Sequence, residues 1–318
     1  MRQPIDSMIE AALPAEARAF LAALRIAQRE RARLLVDTDG LVAQRLQSAG
    51  AAIISMLAGQ PPDWAQTQLS AVQAQVQAIV EGMRTDVAGT VDDALLEAWR
   101  AGIAAIDTPF AAASIHVTHL LPVVDVSVLQ ALRVFTDGRI KDVSAEAAGR
   151  IDAALSLAAL GATTPNQAMG TVRQVLGDDS AHSVRRARTI VLTELAQAHA
   201  TAAHQRLDQT AAEVPGMQKQ WRRSGKIHSR WNHDAADGQV VDADKPFVLR
   251  EHKGAGTVEM MYPHDPKAPA AEVINCGCTF RPWLDRWGLP PGGTPFTDRE
   301  KKLNPLKAGS GWLGGRFG

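Results

Sequence analysis

The chain has 318 residues, of which 46% are hydrophobic, 21% charged and 5% aromatic. That length allows two domains of ordinary size, and the composition excludes an intrinsically disordered chain. Its 34 basic residues balance 34 acidic ones, which excludes a DNA-coating polycation and leaves any nucleic-acid contact to a local patch.

Sparse aromatics and abundant Ala favour long helices with thin contacts. Residues from about Pro14 to Leu57 read as helix, interrupted near Asp37-Thr38-Asp39-Gly40 and stopped by Gly59-Gln60-Pro61-Pro62. Asp63 is placed to cap the next helix, which runs to about Ala105. Its stripe is Leu69, Val72, Val76, Ile79 and Met83, then Val87, Val91, Leu95 and Trp99. Between Asp107 and Val124 the pattern lapses, bracketed by Pro109 and Pro122, and Ile115–His119 suggests a short extended piece. Helical patterning resumes over Ser127–Ala159, with a break expected near Asp137-Gly138. Thr164-Pro165-Asn166-Gln167 has the form of a capping box with Pro in the first turn. A further helix is expected over Ser180–Ala212.

After Pro215-Gly216 the runs shorten and β-formers appear in Met217–Arg222, Phe247–Glu251, Thr257–Tyr262 and Cys278–Trp283, predicting a small antiparallel sheet. The stretch from Gly288 is rich in Gly and Pro and reads as an extended arm. The expected class is therefore α+β: a helical region over 1–178, a small mixed domain over 179–285 and an arm over 286–318. No apolar run is seen at membrane-span length, and Met1-Arg2-Gln3-Pro4-Ile5-Asp6 has no signal-peptide core. A cytoplasmically made chain without a membrane partner is the expectation.

Three segments carry a resemblance. The first is Arg188-Thr189-Ile190-Val191-Leu192-Thr193-Glu194. The second is Lys219-Gln220-Trp221, followed by Arg230, His233, Asp237-Gly238-Gln239 and Phe247. The third is Tyr262-Pro263-His264-Asp265-Pro266, then Glu272 to Asn275-Cys276-Gly277-Cys278. In this order they resemble the Mu F-like head morphogenesis family of tailed bacteriophages, over about Arg185 to Trp283. One departure is Gly277, where the family usually has Arg. The resemblance implies a non-catalytic minor head (minor capsid) protein in the virion near the portal vertex, assembled in the host cytoplasm. It would act in head assembly and in packaging or ejection of the genome. The implied partners are the portal protein, the major capsid or scaffolding protein, and packaged double-stranded DNA.

The residues leave several chemistries open. Thr193 and Glu194 are either a partly exposed helical pair or include a buried carboxylate bonded by Arg230 or the loop at Gly238. Cys276 and Cys278 cannot staple distant segments; they are free thiols, a local redox pair or two ligands of one metal. His233 with these cysteines, and His228 or His264 as the fourth ligand, has the residue types of a structural zinc site, though CxxC spacing is absent; otherwise no cofactor is implied. His233 and Asp237 are alternatively loop architecture, or, with His228, the metal cluster of a nuclease or processing enzyme. Lys219, Arg222, Arg223, Lys226 and Arg230, flanked by Trp221 and Trp231, could track a phosphate backbone, meet acidic partner subunits, or form a solvated face over core tryptophans.

Overall fold

The computed structural model describes residues 13–61, 63–287, 292–309 and 311–314. The class is α+β: long helices lead, and short antiparallel strands follow. The major helices are α1 (Ala15–Ala58), α3 (Leu69–Ala112), α4 (Ser127–Ala159), α5 (Pro165–Leu176) and α6 (His182–Glu213). A single turn, α2 (Trp64–Thr67), precedes α3.

Several expected breaks are absent. Helix α1 continues through Asp37–Gly40, and α4 through Asp137-Gly138. In each case the Gly faces open space while its neighbours Thr38 and Val42, or Thr136 and Ile140, are buried. A mid-helix Gly costs only about 1 kcal/mol relative to Ala, which the burial of the adjacent side chains outweighs. Pro109 lies inside the last turns of α3, where the helix accepts the loss of one N–H and ends three residues later. Asp63 makes no side-chain cap, and the chain breaks instead at Gln68. Ile115–His119 forms no strand; a 3₁₀ turn covers Thr118–Leu120. The capping box of α5 forms as expected, with Gln167 N–H donating to Thr164 Oγ1 at 3.2 Å and Thr164 N–H to Gln167 Oε1 at 2.8 Å.

The chain divides into two compact units, and the expected boundary at residue 178 is not between them. One comprises Arg33–Leu96 and Ser127–Glu194; the other comprises Met1–Ala32, Glu97–Val126 and Leu195–Gly318. The boundaries at Ala32, Leu96 and Glu194 fall within helices, where local sequence carries no linker signal, and that at Val126 falls just before α4.

The first of these units is all helical. Val42, Leu46, Ile53, Val72, Val76, Leu95, Ile140, Ile151, Leu155 and Val172 are buried, with Ala between them. A Cβ at Gly50 would sit 2.9 Å from Leu176 Cβ, so Gly here permits close helix approach. Arg188 grips Asp39 through two parallel hydrogen bonds of 2.8 and 2.6 Å. Helix α1 contains an 18-residue window of mean hydropathy 1.2, enough by length and composition for a membrane span, contrary to the sequence expectation. Its buried Val42, Leu46, Ala49 and Ile53 alternate with exposed Gln44, Ser48 and Ala52, the pattern of a core helix.

The second unit carries the strands. Strand β1 (Gln218–Arg222) is central, between β2 (Val240–Asp242) and β5 (Thr279–Trp283), all antiparallel. Strands β3 (Phe247–Arg250) and β4 (Thr257–Met260) make a separate hairpin, so the single sheet expected is two. Strand β2 has only three residues, too few to show alternation. Short helices α7 (Trp231–Ala235) and α8 (Ala270–Val273) connect the strands.

The expected arm is not extended throughout. Its described part forms α9 (Asp298–Leu303), a 3₁₀ turn (Pro305–Ala308) and α10 (Gly311–Gly314). Lys307 Nζ, fully buried, donates to the Lys226 carbonyl at 2.6 Å and to Ser229 Oγ at 2.7 Å, and lies 3.3 Å from Asp234 Oδ2. Trp312 Nε1 donates to the same Asp234 oxygen at 2.9 Å. Asp234 is buried, and a buried carboxylate requires such donors; the tail provides them.

Candidate metal centre

His233 lies on α7, behind Trp221 of β1, whose ring meets the imidazole edge-on at 5.4 Å between centroids. Asn275, just after α8, adopts φ 57°, a left-handed conformation that Asn tolerates. This reversal carries Cys276 and Cys278 into the core formed by Trp221, Phe247, Leu249 and Met260. His233 Nδ1 is 3.4 Å from Cys276 Sγ and 3.6 Å from Cys278 Sγ. The three donor atoms lie within 4.8 Å of one another, and all three residues are buried.

Glu272 fixes the imidazole from behind. Its Oε2 meets His233 Nε2 at 2.8 Å and accepts from Asn232 Nδ2 at 3.0 Å; its Oε1 accepts from His252 N–H at 3.2 Å. Burial pushes this carboxyl up, but the three donors outweigh it and hold the pKa at about 2. In the sequence Glu272 is one residue of the closing motif, with no local signal of a role. A carboxylate behind a histidine that faces two cysteines is a recurrent metal-site arrangement, yet only the fold brings Glu272 to the right nitrogen.

The thiols are polarised. Its hydrogen bond with Cys278 lowers the Cys276 pKa; burial opposes this, and His264 and His233 add to the lowering, leaving it well below the ordinary thiol value. Cys278, sharing the proton, is pushed up. Burial lowers the His233 pKa, but bonds to Cys276 and Glu272 outweigh it and raise it. Cys278 N–H donates to Cys276 Sγ at 3.4 Å. A pocket of about 200 Å³ opens onto the cluster, lined by Lys226, His228, Arg230, His233, Cys276 and Cys278 among others. A Cβ at Gly277 would fall 2.9 Å from Lys226 Cε, so Lys226 occupies the space that a side chain at 277 would need.

The remaining expected site residues have other surroundings. Asp237 Oδ1 accepts from Arg223 N–H at 2.9 Å and Oδ2 from Thr294 N–H. Gly238 has φ 89°, and a Cβ there would lie 2.1 Å from the backbone of Gly292. His228 is exposed on the pocket rim. His228, His233 and Asp237 therefore do not converge as a nuclease cluster. Thr193 Oγ1 bonds within its own helix to the Thr189 carbonyl at 2.7 Å. Glu194 is buried, as one reading expected; burial raises its pKa, with Arg139 as the opposing charge. Arg230 instead donates to the Ile274 carbonyl at 2.5 Å.

The members of the basic run each meet acceptors of their own chain, and they differ in exposure. Lys219 is fully buried and donates to the Ala243 carbonyl at 2.7 Å, with burial lowering its pKa to about 8. Arg223 pairs with Glu300 at 2.5 Å, Arg222 donates to Thr294, and Lys226 donates to the Asn275 carbonyl at 2.7 Å. Trp221 and Trp231 are buried in the core. The sequence showed the cations but not the distant acceptors.

Comparison with known proteins gives two partial likenesses. The chain is 36% identical over 124 residues to the uncharacterized protein YqbB of Bacillus subtilis, covering 37% of this chain and 38% of that one. It is 23% identical over 142 residues to the NAD(+)–arginine ADP-ribosyltransferase EFV of Enterococcus faecalis, covering 45% of this chain and 27% of that protein. The chain thus spans well under half the length of these relatives. No family model and no solved structure matches it.

Proposed function

We propose that this chain is a non-catalytic minor head protein of a tailed bacteriophage, acting in head assembly near the portal vertex and in packaging or ejection of the genome. The observation that carries this reading is how the motif residues are used. Asp237 accepts backbone donors of two segments, Arg230 closes on a carbonyl, and His233 is held by Glu272. These are architectural tasks, and they support a structural role for the motif. The order Arg188…Glu194, Trp221…Gly238 and Asn275-Cys276-Gly277-Cys278 adds the resemblance to Mu F-like head proteins. Portal, capsid or scaffolding protein, and packaged DNA remain the proposed partners. Among the 219–230 cations, exposed Lys226 and half-buried Arg222 and Arg230 remain the candidates for DNA contact, while buried Lys219 and the paired Arg223 do not.

The test is to locate the chain in purified particles by mass spectrometry and particle reconstruction. Density for a few copies at the portal vertex is the expected result. Its absence from intact particles, or metal-dependent hydrolysis of DNA by the pure protein, would overturn the reading.

A further inference from the structure

We infer that His233, Cys276 and Cys278 bind one zinc ion, with His264 as the fourth ligand, in a closed tetrahedral structural site. The inference is independent of the head-assembly reading. Its first support is distance. A nitrogen at about 2.0–2.1 Å and a sulfur at about 2.3 Å from tetrahedral zinc are about 3.5 Å apart. His233 Nδ1 stands 3.4 and 3.6 Å from the two sulfurs. One imidazole nitrogen therefore faces both thiols at the spacing of a coordination tetrahedron's edges.

The second support is the protonation that the surroundings impose. Glu272 accepts at Nε2, which places the ring proton there and leaves the Nδ1 lone pair toward the sulfurs. The backbone N–H of Cys278 donates to Cys276 Sγ at 3.4 Å, a bond that suits a thiolate ligand.

The third support is His264. It is fully buried, and both of its ring nitrogens lack a hydrogen-bond partner among the described residues. A buried polar atom left without a partner is costly, and a metal ion would relieve one of them. The ring lies beside Cys276, although neither nitrogen reaches the sulfur with hydrogen-bond geometry. It lies outside the group of three donor atoms within 4.8 Å, so rotation of its side chain has to close the fourth position. Exposed His228, the other histidine near the pocket, has no such unmet need. Two thiolates and two neutral imidazoles give a site of zero net charge with Zn²⁺, suited to burial. Soft sulfur with imidazole in a tetrahedral set selects zinc over magnesium or calcium.

The full chain, purified without chelator, is expected to carry one zinc per molecule. Replacing that zinc with cobalt(II) should give the visible absorption of a tetrahedral ion and a thiolate charge-transfer band. These readouts use the unaltered protein, so they stand even where ligand variants fail to fold. Cys276→Ser and Cys278→Ser should abolish the charge-transfer band or halve it. His264→Asn should weaken zinc binding by more than the roughly 10–100-fold typical of outer-shell partners and shift the cobalt bands. Wild-type protein with no bound metal and no cobalt absorption would overturn the site. A His264→Asn protein with unaltered affinity and spectrum, or cobalt bands perturbed by added cyanide in the wild type, would overturn the closed four-ligand assignment.

Discussion

The all-helical unit and the strand-bearing unit are stabilised by different means. In the helical unit, Val42, Ile53, Val76, Ile151 and Leu155 each fill a small share of a distributed apolar core, and its ion pairs lie at the surface or part-buried. In the other unit, strands of three to five residues surround buried Lys219, His233, Asp234, Glu272, Glu300 and Lys307. A distributed core degrades gradually as side chains are trimmed. A buried ionic network fails steeply, because removing one member leaves the others desolvated and unpaired.

The largest effect should come from Glu272→Ala. It leaves His233 Nε2, Asn232 Nδ2 and the His252 N–H without their acceptor. Loss of about 3–5 kcal/mol in urea unfolding is expected. A loss under about 1 kcal/mol would remove the contrast between the two units.

Acid provides the next test. The folded-state pKa values of Glu272 and Glu300 are held at about 2, below the ordinary glutamate value of 4.5. Their stabilisation is complete above pH 4.5 and is lost as pH falls from there toward 2. Burial also lowers the pKa of His204 from 6.5 to about 3, so unfolding takes up its proton in that interval and stability declines as pH falls through it. All three groups lie in the strand-bearing unit. Amide protection, corrected for intrinsic exchange and followed from pH 6.5 down to 2, should therefore fall in β1 and β5 before it does in α4. Equal loss of protection in the two would contradict the contrast.

The smallest effect should be that of Ile151→Val in the helical unit. Ile151 is fully buried, and removing one methylene should reduce stability by about 0.5–1.5 kcal/mol with no change in bound metal. A loss above 3 kcal/mol would mean that the helical core is as brittle as the polar network.

The sequence conveyed local features well and remote ones poorly. The capping box at Thr164, the apolar stripe of α3 and four of the five strands follow from neighbours a few residues apart. The helices through Gly40 and Gly138 were misread because a glycine's effect depends on what its neighbours bury. His233, Cys276 and Cys278 were legible as residue types, with spacing too unusual to distinguish ligands from thiols. The partner of Arg188 is 149 positions away and that of Arg223 is 77. No periodicity joins such positions, so the basic run looked solvated or DNA-facing until its acceptors were located.

The docking of Lys307 and Trp312 on Asp234 also sets a timetable for synthesis. Every segment of the helical unit has been translated once residue 194 is made, so its core can close while the ribosome is still working. The strand-bearing unit takes in residues from before position 33 and from beyond position 300, and Asp234, which has Ser229 as a local donor, lacks Lys307 and Trp312 until the chain has emerged through residue 312. Nascent chains arrested short of that point would expose an incompletely paired loop for chaperones to hold, and α10 would act as the latch of the domain.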